Sequence, residues 1–143
     1  MMPVDFVKAL GLAILIMVVD IACAFAFVTV WVLINHHPLT MTDPKTAELS
    51  TLSTQIFGPL LFALAIWFFQ RRRPDRRPYV FAIAVFAFYF LLDWSLEALA
   101  VRGDPHAPTV AVSMLQSAAL LATTLKLAGA LVGAWLARRA ARR

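Results

Sequence analysis

The sequence predicts an all-α integral membrane protein, a four-helix bundle with both termini on the cytoplasmic side. Three observations carry that reading. The chain of 143 residues is 62% hydrophobic and 15% charged, whereas soluble domains average roughly 45–50% apolar and about 25% charged. The charges leave four long apolar runs, and a helix needs roughly 20 such residues to cross a hydrocarbon core. The cations between the runs are distributed one-sidedly. One domain, 1–143, holds all four spans, about 9–35, 49–70, 79–101 and 109–137, and no polar stretch is long enough to fold as a soluble unit.

The first run, Ala9 to Asn35, is interrupted only by Asp20. It exceeds the apolar core of a signal peptide, roughly 7–15 residues, and is preceded by a single basic residue, Lys8. Ala22-Cys23 resembles a lipoprotein cleavage site, but Asp20 stands where an apolar residue belongs and the run continues to Ile34. A retained helix is expected. The second run, Leu49 to Gln70, is uncharged. Asp43-Pro44 pairs a helix-capping acid with a proline at the first helical position. The helix is therefore expected to start at Pro44 and to kink at Gly58-Pro59, where proline removes a backbone donor.

The third run, Tyr79 to Val101, carries Asp93 and Glu97 in its later half. Asp104-Pro105 repeats the capping grammar, and the fourth run, Thr109 to Ala137, is interrupted only by Lys126. Continuous runs rich in Ala and Leu exclude barrel strands, which alternate over about ten residues. Lipid offers the backbone no partners, so the spans are helices. The chain also divides into two hairpins of like topology, each closing on a tryptophan and an arginine cluster. Duplication of a parallel repeat is one account and shared topology the other.

Of the 13 Lys and Arg, Lys8, Arg71, Arg72, Arg73, Arg76, Arg77, Arg138, Arg139, Arg142 and Arg143 fall on one side, and only Lys45 and Arg102 on the other. By the positive-inside rule, the termini and the 71–78 loop face the cytoplasm. The pI near 10.2 is therefore no nucleic-acid signature. Arg71, Arg72, Arg73, Arg76, Arg77, Arg138 and Arg139 read as anchors that attract anionic lipid head groups; docking of a cytoplasmic partner is the other reading.

Charges inside a bilayer are costly and normally face protein or water. Asp20 lies about 17 Å along the helix from Ala9 and Lys126 about 18 Å from Arg138, at 1.5 Å per residue. Asp93 and Glu97 share a face with Tyr89. Lys126 shares one with Gln116, Ala119, Thr123, Gly129, Ala130 and Gly133, a small, polar face suited to close packing. Asp20 shares one with Ala13, Ala24 and Phe27. Two accounts stay open. In one, Asp20 and Lys126 form an ion pair that fixes the bundle's register. In the other, Asp20, Asp93, Glu97, Lys126, Gln116 and Tyr89 line a proton or ion relay, or a site for a polar or cationic solute. Gly58, Pro59, Gly129 and Gly133 are the expected packing positions.

His36, His37 and His106 fall in the turns and are the only candidates for a metal. Adjacent histidines do not share a helix face, and no ligand spacing such as H-E-x-x-H occurs. No histidine lies within a span, so haem is not expected, and no other cofactor is implied. There is no nucleophile elbow, P-loop or glycine-rich dinucleotide turn. Cys23 is alone in an apolar run, which argues against redox chemistry. The aromatic run Phe86, Phe88, Tyr89, Phe90 and Trp94 fits packing and lipid contact, or an apolar or cationic ligand.

No family is identified from these residues. Small multidrug transporters are similar in four-span size and an acid in the first span, a likeness of architecture. The leading expectation is a small transporter- or channel-like protein of a bacterial inner membrane, acting as a homo-oligomer because four helices enclose little volume. The rival is a non-catalytic accessory subunit of a larger membrane complex. A membrane enzyme acting on a lipid-soluble substrate is the third reading.

Overall fold

The computed structural model describes residues 3–40, 43–71, 77–101 and 116–141. These form four helices, α1 (Pro3–Asn35), α2 (Pro44–Gln70), α3 (Pro78–Val101) and α4 (Ser117–Ala140). The shortest have 24 residues, about 36 Å at 1.5 Å per residue. All four are long and apolar enough to cross a membrane.

Local chemistry sets the helix ends. α1, α2 and α3 each open on a proline, whose missing N–H costs nothing in a first turn. α1 closes where His36 adopts a left-handed φ of 52°, a conformation that histidine enters more readily than most residues. The Asn35 amide donates to the Trp31 carbonyl at 2.8 Å, covering one terminal acceptor. Asp43 occupies the N-cap of α2, but its side chain makes no cap bond. Its carbonyl accepts from Thr46 N at 2.9 Å instead. α2 is unbroken through Pro59.

α4 runs from Ser117 to Ala140, with Gln116 extended at its N-cap, ψ 141°. Residues 109–115 lie outside the described segments, as do Arg72, Arg73, Arg76 and His106.

α1 packs against α2 and α3, and α4 against the same two helices. The helices thus form a ring in which α1 faces α4 diagonally and α2 faces α3. The α2/α4 side is closed backbone to backbone. A methyl group on Gly129 would collide with the Pro59 backbone, and one on Gly133 with that of Ala63. The matched four-residue steps mean that these two helices run parallel. Between α2 and α3 the space is filled by aromatic rings. Phe62, fully buried, meets Tyr89 edge-on at 5.1 Å and Phe86 at 6.2 Å. Phe69 stacks on Phe81 at 5.7 Å.

The core lies in the half of the bundle nearer the arginines. Ala9, Leu12, Ala13, Ile16, Phe62, Ile66, Phe81, Ala82, Val85, Ala130 and Ala134 are packed there. The outer surface is equally apolar: Leu15, Val18, Leu33, Leu64 and Leu99 are each more than half exposed. A water-soluble monomer rarely presents contiguous apolar surface on this scale.

Candidate functional site

The diagonal of the ring is crossed by an ionic cluster. α1 carries Asp20, α3 Tyr89 and α4 Lys126, all at most 5% exposed. Lys126 Nζ lies 3.0 Å from Asp20 Oδ2 and donates to Tyr89 Oη at 2.6 Å. The Tyr89 hydroxyl in turn donates to Asp20 Oδ2 at 2.8 Å. The ammonium also stands 4.4 Å from the Tyr89 ring centroid, within cation–π range. Each partner thus satisfies part of its neighbour's desolvation cost, which a buried ion pair needs in order to persist.

The remaining helix, α2, makes room for the lysine. A Cβ on Gly58 would stand 2.7 Å from Lys126 Cε and 3.1 Å from Cγ. The absence of a side chain at Gly58 therefore leaves the path that the lysine stem follows across α2. Among the described residues, Asp20 Oδ1 is buried and accepts no hydrogen bond.

A cleft of about 490 Å³ ends on this cluster. Thr40, Thr46, Ser50 and Thr54 line it toward the Asp43 end, and Met17, Ile21, Phe25 and Val28 of α1 form an apolar wall. Asp93, one turn beyond Tyr89, lines it together with Asp20, Tyr89 and Lys126. On the opposite side of the triad lies the packed core described above. Thr46, Ser50 and Thr54 recur every four residues, a polar helical stripe that sequence periodicity could have singled out.

Other candidates lie elsewhere. Glu97 is half-buried and is not part of the cleft lining. Gln116 is exposed at the α4 N-cap, away from the buried cluster. Ala13 is fully buried, while Ala24 and Phe27 are half-buried; Phe27 meets Phe57 at 6.2 Å. His36 and His37 are exposed. Among the described residues, no three His, Cys, Asp or Glu gather as a metal would require.

At the arginine end, Arg71 covers the Trp67 and Phe68 rings at 5.0 and 4.4 Å. Arg139 lies 5.4 Å from the Trp135 centroid and shares a groove with Arg138 and Tyr79. Arg77 is exposed, and its carbonyl accepts from Phe81 N. Two buried polar groups had no sequence signal of their own, Ser53 and Gln70; among the described residues their side-chain polar atoms lack partners.

The chain matches no family model, no curated protein and no solved structure, so the functional reading rests on the geometry of this cleft and its charged floor.

Proposed function

We propose that the chain is a small integral membrane transporter of the carrier type, set in a bacterial inner membrane with its arginine-rich end in the cytoplasm. The observation that carries this is the cleft. It reaches from the Asp43 end to an Asp–Tyr–Lys cluster in mid-bundle and stops against a close-packed core. A continuous pore would need polar lining on both sides of the cluster. Here a solute would enter from one side, and release on the other would require the helices to move. The parallel contact between α2 and α4, backbone to backbone at Gly129 and Gly133, and the aromatic filling between α2 and α3 supply one rigid seam and one softer one. A homo-oligomer would shield more of the apolar surface and enlarge the polar interior.

The accessory-subunit reading draws on a different observation. The Asp20–Tyr89–Lys126 cluster is largely self-satisfied, and an ion pair that only fixes register would look the same. Such a subunit has no use for a solute-sized cleft, which favours the carrier. Purified protein in sealed vesicles tests the choice. The carrier predicts solute or proton flux that Asp93→Asn abolishes while the fold survives. Vesicles as tight as empty ones to protons, common cations and amphipathic amines, with the protein recovered bound to other chains, would establish the accessory subunit.

A further inference from the structure

The charge on the cleft lining points to a ligand class. Among the described residues, three ionisable side chains besides tyrosine line it: Asp20, Asp93 and Lys126. With all three ionised, the lining carries one negative charge in excess. The Lys126 ammonium is already engaged, by Asp20 at 3.0 Å and Tyr89 at 2.6 Å. An entering anion would have to displace those contacts and approach two carboxylates. A cation would meet Asp93, and one that carries N–H donors could bond Asp20 Oδ1, which is buried without a hydrogen-bond partner among the described residues. A bare acceptor in a buried site is unfavourable until a donor reaches it.

The rest of the cleft is apolar along Met17, Ile21, Phe25 and Val28. Calcium or magnesium needs six or more oxygen ligands in a shell and gains nothing from that wall. An organic cation buries its body there and can place its charge near the ring of Phe25 or Tyr89. The volume of about 490 Å³ lies within the range of small-molecule sites.

We propose that the cleft binds a small organic monocation, an alkyl- or arylammonium whose charged head sits at the Asp20–Asp93 end and whose apolar body lies along α1. This inference rests on the carrier reading and narrows it. Calorimetry on the full chain in nanodiscs tests it with four probes of similar length: hexylammonium, hexyltrimethylammonium, hexanol and hexanoate, each corrected for empty nanodiscs. Both cations should bind at least tenfold more tightly than hexanol and hexanoate. Asp93→Asn should weaken the cations at least tenfold and leave hexanol unchanged.

Equal binding of hexanol would show that the apolar body alone drives association, and preference for hexanoate would show that Lys126 reads the ligand. Either result overturns the proposal, as does the absence of binding by all four probes. The comparison of probes on the unaltered chain stands even if Asp93→Asn fails to fold. Failure of the carrier reading is separable: cation binding without flux in vesicles would sink transport and leave the site, whereas flux of hexanoate would support a carrier and overturn the cation.

Discussion

Lys126 reaches Asp20 by passing over Gly58, where an added methyl group would stand 2.7 Å from the lysine Cε. The glycine on α2 thus positions a charge that belongs to α4 and is bonded to α1. Gly58→Ala should push the lysine off this path and weaken its ion pair, at about 1–3 kcal/mol in the manner of an overpacked core. The same substitution in a Lys126→Ala background should cost little. Unfolding of all four proteins in mixed micelles measures the coupling, and equal costs in both backgrounds would show that Gly58 acts independently of the lysine.

Removing one member of the buried pair leaves the other uncompensated, so Asp20→Asn and Lys126→Met should each cost about 3–5 kcal/mol. The double variant should recover part of that loss. Additive losses in the same unfolding assay would show no energetic contact despite the 3.0 Å separation.

Tyr89→Phe keeps the ring that Phe62 meets edge-on at 5.1 Å and deletes only the hydroxyl that links lysine to aspartate. The expected cost is about 1–3 kcal/mol, the penalty for buried polar groups left short of a partner. Tyr89→Leu, which also removes the ring, should cost more. A neutral Tyr89→Phe would reduce the tyrosine's role to packing.

Gly129→Ala and Gly133→Ala should force α2 and α4 apart, because backbone atoms of Pro59 and Ala63 have nowhere to yield. Each should lower the unfolding midpoint substantially. Gly11 is the internal control: nothing lies within 4 Å of a Cβ there, so Gly11→Ala should stabilise by up to about 1 kcal/mol through helix propensity. A neutral result at Gly129 would remove the close α2/α4 contact.

Reporter fusions at Thr42 and Asp104 should read as extracytoplasmic and a fusion at Asp75 as cytoplasmic, following the asymmetry of arginines. One reversed signal would remove the proposed orientation.

The helices themselves are legible from uncharged runs, because helix length and polarity are set by the same interruptions that the chain displays. Asp20 and Lys126 are likewise legible as similarly deep, by counting residues from the basic ends. Ring order is another matter. Periodicity tells which residues share a face, as with Tyr89, Asp93 and Glu97, but not which helix that face meets. Consecutive helices are usually neighbours, yet α2 and α3 sit on a diagonal, which lets the Tyr89 hydroxyl bond Asp20 of α1 and Lys126 of α4. Gly58 is legible as a packing position, but that its partner is a lysine stem follows only from the parallel register of α2 and α4. The N-cap of the last helix is hidden for a local reason: no capping residue type marks Gln116, whose extended backbone is set by its surroundings rather than by its side chain.

The ion pair joins the first helix to the last, and that has a consequence for biogenesis. In the proposed membrane setting, Asp20 is delivered to the bilayer several seconds before Lys126, at a synthesis rate of roughly 5–20 residues per second. Until α4 arrives, the carboxyl group has neither its ammonium nor, at first, its tyrosine. The nascent hairpin of α1 and α2 must therefore keep Asp20 away from lipid, at a sheltering surface of the insertion machinery. Completion of the charge pair then marks the moment at which a fully made chain differs from a truncated one, giving quality control a chemical feature by which to tell them apart.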